Sequence, residues 1–261
     1  MARDTTTHLH RSKPASSLER ANALERLPKN HEKDNLRKLL NALTDTSPLV
    51  RVAAVEGLGT LRKTEALSHL AASLGDANAE VRMRAAEGIG LIIKSGRSPS
   101  ALVKSLEDPD ELVRIAVVIS LGRIRDVKTL PALRKVISDK SALVRRYVSV
   151  AVAKFGRSED VRKLQRALNR ERSETARLGY YQALYLLGKK DLLFEMLKLL
   201  TSKDYRIRCA AAHTLSEIPV DRFQRQLVVA AIHERYRAEE TVAAKSSFRT
   251  ALARLTNKSS H

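Results

Sequence analysis

Cys209, His213 and Glu217 stand at i, i+4 and i+8, so on a helix a thiol, an imidazole and a carboxylate share one stripe. That chemistry would suit a metal ion or an activated thiol. A straight helix, however, seldom turns three such groups toward one point, and the sequence offers no fourth ligand beside them. A phosphate-cradling glycine loop and a serine-histidine-aspartate pattern are also missing. The sequence therefore assigns no catalytic residue, no metal ligand and no cofactor.

Charge is the stronger signal. The 261 residues carry 48 Lys and Arg against 29 Asp and Glu, a formal net charge of +19. This exceeds what solubility needs and points to an acidic or polyanionic partner. Residues 134–177 alone hold thirteen cations and five acids. Within them Arg162, Arg166 and Arg170 follow at i, i+4 and i+8, so they share a helix face. Further cations close most of the predicted inner helices: Arg62 and Lys63, Lys94 and Arg97, Arg123 and Arg125, Lys154 and Arg157, Lys189 and Lys190. Stacked, they would form a basic ridge; equally, they are the residues that helix C-termini favour. The candidate polyanion contacts are Lys94, Arg97, Arg125, Arg157, Arg162, Arg166, Arg170, Lys189 and Lys190. Tyr147, Tyr180, Tyr181 and Tyr185 fall in the same region, where aromatic rings between cations serve base stacking, peptide anchoring or plain helix packing.

These groups need a frame, and the frame is periodic. Leu49-Val50-Arg51 returns as Glu80-Val81-Arg82, Leu112-Val113-Arg114 and Leu143-Val144-Arg145, then more loosely as Thr175-Ala176-Arg177 and Arg206-Ile207-Arg208. The arginines are 31, 32, 31, 32 and 31 residues apart. Asp45, Asp76, Asp108 and Asp139 precede the first four by six residues, and Leu58, Ile89, Leu121, Val152, Leu184 and Leu215 follow the six by seven. Each unit reads as an outer helix, such as 64–74, a short turn containing the Asp, and an inner helix, such as 80–93. Ala53, Ala54, Gly57 and Gly59, then Ala85, Ala86, Gly88 and Gly90, allow inner helices to approach closely. A single pair cannot bury its apolar faces, so the units must stack into a solenoid.

The pattern Asp-x-x-x-x-Val-Arg-x-x-Ala-x-x-x-Leu-Gly is seen at Asp108–Gly122 and, without its Leu, at Asp76–Gly90. It resembles the HEAT-like repeats named after phycobilin lyases. The resemblance implies an all-α, right-handed α-solenoid of about six HEAT-like helix pairs with terminal capping helices. It leaves function open, because such repeats serve lyases, hydroxylases, DNA-repair proteins and scaffolds. HEAT-like di-iron hydroxylases use several His-Glu pairs within the repeats, whereas here His31-Glu32 and His233-Glu234 lie outside the regular array. HEAT-like DNA glycosylases rely on Trp, and this chain has none. A bilin-lyase role has no residue signature to test.

The expected organisation is a flexible basic arm over 1–15, a capping helix within 16–33, the repeat array over 34–220 and C-terminal capping helices over 221–261. Arg51, Arg82, Arg114, Arg145, Arg177 and Arg208 are expected to be structural, bonding the Asp or the turn carbonyls of their own or the adjacent repeat. Positions one, five and nine after each arginine are expected to face the concave side. In the third to fifth repeats this face, with neighbouring tyrosines, supplies Ile115, Ile119, Val150 and Leu178 as apolar contacts, Arg123, Arg146 and Lys154 as cations, and Tyr147 and Tyr181 as anchors. The strip is largely apolar, with acid at its first end and base in its middle, which suits a protein partner better than duplex DNA. The expected function is a non-enzymatic scaffold gripping an acidic protein or peptide. Sequence-tolerant nucleic-acid binding through the basic face is the alternative, and a bilin-lyase-like enzyme or lyase subunit the third. With one cysteine, no signal-like stretch over 1–30 and no long apolar run, a cytoplasmic chain without a membrane span is expected.

Overall fold

The computed structural model describes residues 15–28, 31–93, 100–257 of the chain, and every regular element among them is helical. The expected arm over 1–15 therefore lies, but for its last residue, outside the described residues. Six pairs alternate an outer and an inner helix. They are α2 (Glu32–Ala42) with α3 (Pro48–Leu61), α4 (Leu67–Ser73) with α5 (Ala79–Ile92), and α6 (Ser100–Lys104) with α7 (Glu111–Ile124). Next come α8 (Leu130–Val136) with α9 (Ala142–Ala153), α10 (Glu159–Arg170) with α11 (Glu174–Leu186), and α12 (Leu192–Lys198) with α13 (Tyr205–Glu217). Before them runs α1 (Ser17–Glu25); after them run α14 (Arg222–Ala238) and α15 (Val242–Asn257). The chain is an α-solenoid. Its ends are built into the stack, since α1 packs on α3 and α15 on α13, extending the inner layer by one helix each way.

The inner helices start where short polar side chains cap them. Asn78, Asp110 and Ser141 each accept from the backbone amides two and three residues on. The outer helices are shorter, and four of them begin or end in a 3-10 turn, for example Thr64–Ala66 ahead of α4. The core lies between the two layers. Leu58, Leu70, Ile89, Leu102, Leu121, Leu133, Val152, Leu164, Leu184 and Leu215 are all buried in it. The residues seven after each repeat arginine are thus its spine.

Small residues set the spacing of the inner layer. A Cβ on Gly90 would lie 2.4 Å from Ser120 Oγ, and one on Gly179 would lie 2.4 Å from the Arg146 carbonyl oxygen and 2.5 Å from its Cα. α11 therefore rests directly on the backbone of α9.

The repeat arginines tie each pair to the next. Arg51 donates from Nε and Nη2 to the Asp76 carboxylate at 2.7 and 2.8 Å, and from Nη1 to the Asp45 and Thr46 carbonyls of its own turn. The same fork joins Arg82 to Asp108, Arg114 to Asp139 and Arg145 to Glu171. It also runs on at both ends, before the first Val-Arg phrase and from the last one into the turn after α14. Arg20 of α1 grips Asp45 at 2.9 and 2.8 Å, and Arg208 grips Glu239 at 2.6 and 2.7 Å. The carboxylates gripped are those whose backbone turns open the following inner helix, so one acid closes the turn and receives the fork. For Asp76 the Arg51 fork is the main force holding the carboxyl below its ordinary value. For Asp108, Asp139 and Glu171 burial pushes upward most strongly, yet the arginine and backbone bonds together win and the net shift is downward.

One rung is missing. The residue six before Arg208 is Ser202, not an acid, and among the described residues Arg177 has no forward carboxylate. Its Nε and Nη2 turn instead to the Tyr181 hydroxyl at 3.0 and 2.5 Å. At this joint α11 and α13 also touch much less than the other neighbouring inner helices.

Candidate functional site

A groove of about 390 Å³ opens on the inner face at that joint. Ile119 and Gly122 of α7, Arg146, Tyr147, Val150 and Ala151 of α9 with the adjoining Lys154, and Gln182 and Leu186 of α11 line one side. His213, Thr214 and Glu217 of α13, then Ile218 and Pro219, line the other. The close seat of α11 on α9 through Gly179 fixes the first wall, and the Tyr185 hydroxyl, at 2.8 Å from the Pro219 carbonyl oxygen, ties α11 to the turn that ends the second.

Of the nine residues expected to contact a partner, the structure gathers five here: Ile119, Arg146, Tyr147, Val150 and Lys154. Arg123 stands on the rim, near enough with Arg125 for the two guanidiniums to add to the desolvation that lowers the Lys154 ammonium. Three residues are not available to a ligand. Ile115 is buried at 7% exposure and Leu178 at 0%, both between inner helices, and Tyr181 at 4% is closed over by Arg177. The first position after the arginine points into the stack in the third and fifth repeats but not in the fourth, where it is Arg146, and Tyr181, four residues after Arg177, lies on the arginine side of its helix. The groove also extends one repeat further than expected, into α13 and the Ile218-Pro219 turn.

Arg146 is the distinctive group. Its half-buried guanidinium lies 5.5 Å from the Tyr147 ring centre, and it forms no ion pair among the described residues. Desolvation depresses its pKa, with Tyr147 opposing. Glu217 is the acid lining the groove, and it is already occupied: His213 Nε2 stands 3.2 Å from one oxygen and Arg254 Nη1 donates to the other at 2.8 Å. Histidine and glutamate of the Cys209 stripe thus serve the groove wall. Among the described residues no group of three or more His, Cys, Asp and Glu stands close enough to hold a metal ion.

The candidate polyanion contacts occupy two layers of the stack. Lys94 and Arg97 fall outside the described residues. Arg125 caps α7 in the left-handed region at φ 55°, Arg157 is exposed beyond α9, and Lys190 lies 3.9 Å from the Tyr185 ring centre with Lys189 exposed beside it. Arg162, Arg166 and Arg170 stand on the exposed flank of α10 in the outer layer, away from the groove.

The model for HEAT repeats matches residues 9–95 and 99–185, about two thirds of the chain. The chain belongs to the HEAT-repeat family. Among solved structures it is similar to the complex of CpcE and CpcF of phycocyanin lyase from Nostoc sp. PCC7120, with a TM-score of 0.57 and 19% identity over 84% of this chain and 94% of that one. It is also similar to YibA of Escherichia coli, with a TM-score of 0.50 and 16% identity over 94% and 98%. At these identities the likeness is one of fold. No curated protein matches the sequence. Among the described residues no helix is long and apolar enough to cross a membrane.

Proposed function

We propose that this HEAT-repeat solenoid is a binding scaffold whose inner groove receives an acidic segment of a partner protein. Arg146 carries the reading. The forward-reaching arginines of the stack are matched to carboxylates, whereas Arg146 is half-buried and has no ion-pair partner among the described residues. An incoming carboxylate relieves that desolvated charge, and the guanidinium fork fits it bidentately. Lys154 supplies a second cation and Arg123 a third at the rim, while Ile119, Val150 and Leu186 offer an apolar floor. Apolar anchors ringed by a few charges suit a peptide more than a sugar-phosphate strand, which asks for continuous positive charge. A lyase-like role would draw on fold likeness alone, which does not carry activity.

The test uses labelled short peptides alternating leucine with glutamate, with glutamine or with lysine, beside single- and double-stranded oligonucleotides over a salt series. The glutamate peptide should bind best, and Arg146→Glu with Lys154→Glu should weaken it at least about tenfold with helicity unchanged. Oligonucleotides binding more tightly than the peptide, with a steep salt slope, would sink the reading in favour of a polyanion.

A further inference from the structure

A second cleft lies on the opposite layer. It has a volume of about 530 Å³ and runs between the end of α8 and the flank of α10, with Ile137, Ala167 and Tyr180 as its apolar wall. Lys163, Arg166 and Arg170 stand at its mouth, all exposed, and none forms an ion pair or side-chain hydrogen bond among the described residues. The other charged groups of the cleft are already matched. Asp139 is held by Arg114 and Glu171 by Arg145, while Arg134 donates to Asp160 and to Glu159.

The cause is visible in α10 itself. Its two acids, Glu159 and Asp160, sit in the first turn and are both taken by Arg134, leaving four cations and no acid in the rest of the helix. On other outer helices, by contrast, Arg37 stands beside Asp34 and Lys198 is bonded to Glu195 at 2.7 Å. Like charges at i, i+4 destabilise a helix, and the row Arg162, Arg166, Arg170 has two such pairs. A counter-anion would convert that repulsion into attraction.

We propose that this cleft binds a small molecule carrying at least two phosphate groups. Lys163 and Arg170 are seven residues apart, about 10 Å along the helix axis. Three unmatched charges in that span call for an anion of similar charge and length. One carboxylate brings a single charge, whereas two phosphate monoesters bring roughly −3 to −4. Arg166 and Arg170 provide planar forks and Lys163 a point charge, a combination suited to a phosphate chain. The volume falls within the range of small-molecule sites, roughly 300–1,000 Å³. Tyr180 is 1% exposed with its hydroxyl donating to the Ile137 carbonyl at 2.9 Å, so its ring walls the cleft without offering a face for stacking successive bases.

Calorimetric titration of the full chain at low salt with inorganic tripolyphosphate tests this, with pyrophosphate and ADP as further arms. Saturable binding of one tripolyphosphate per chain is expected, weakened at least about tenfold by Arg166→Ala with Arg170→Ala and unchanged by Arg146→Ala with Lys154→Ala. ADP binding more tightly than pyrophosphate assigns the site to a nucleotide, and equal affinity assigns it to the phosphate chain itself. Tripolyphosphate that does not saturate, or whose binding falls equally in both double variants, overturns the proposal. So does an affinity that appears only with oligonucleotides and climbs with their length. Circular dichroism of each variant confirms that the helices are intact.

Discussion

Arg177 and Tyr181 are bonded within one helix, guanidinium to hydroxyl, at the joint where the neighbouring repeat offers Ser202 in place of an acid. The stack's regular fastener is replaced there by an internal one, and the inner layer opens beside it.

Restoring the rung should tighten that joint. Ser202 donates to Glu174 at 2.6 Å, so an aspartate alone would face a like charge. Ser202→Asp with Glu174→Gln should let Arg177 reach forward and add about 1–2 kcal/mol. Thermal unfolding would rise by several degrees, and amide exchange in α13 would slow. No change in either measurement would mean that the absent carboxylate is not what loosens the joint.

Breaking an intact rung should cost more than restoring the absent one gains. Arg82→Ala leaves Asp108 desolvated and unmatched, and about 3 kcal/mol of stability should be lost in chemical denaturation. Arg82→Lys should recover less than half, because an ammonium cannot make the fork and the two turn bonds together.

Acid should dissolve the ladder in a defined window. Folding depresses the carboxyl pKa of Asp76, Asp108, Asp139, Glu171 and Glu239, the last from 4.5 to about 2, chiefly through the Arg208 bond. Depressed folded values mean that the stabilisation is complete above the unfolded values of roughly 4 and is lost as pH falls through the folded ones. Denaturation midpoints should hold from pH 7 to 5 and then decline steadily toward pH 2. In Glu239→Gln the midpoint should start lower and decline less at the acid end.

The seat of α11 on α9 should not tolerate one added carbon. Gly179→Ala places Cβ within 2.5 Å of backbone atoms of Arg146, where no side chain can swing aside. About 1–3 kcal/mol should be lost, and binding of the acidic peptide should weaken as the wall carrying Arg146 shifts. Unaltered stability would show that the two helices can part freely.

The fold was legible because its fasteners recur: an arginine every 31 or 32 residues with an acid six before it can only be a stacked unit. Which acid each arginine takes was not, since the turn carbonyls of its own repeat and the carboxylate of the next flank the same guanidinium. The Arg20 rung was missed, although Arg20 lies 31 residues before Arg51 and that interval was the available signal, and the acceptor of the expected structural Arg208, Glu239, was not read. Counting along the inner helices located Ile119, Arg146, Val150 and Lys154 on the groove. It failed at Ile115 and Leu178, because a one-residue count cannot see how far each helix is rotated into its neighbours. The cleft beside α10 was half-visible: the row of arginines could be read from its spacing, but the facing walls come from the end of α8, from Arg145 of α9 and from Tyr180 of α11.

Because the repeat arginines other than Arg177 grip an acid of the unit after them, the interface between units is written in a standard form. Any unit with an acid at its turn can follow any unit with the arginine, so whole modules could be inserted or excised without redesigning their neighbours. Arg177 and Ser202 mark the one seam among the described repeats where that interchange fails, which makes the fifth and sixth units a fixed pair around their groove rather than spare lengths of the same chain.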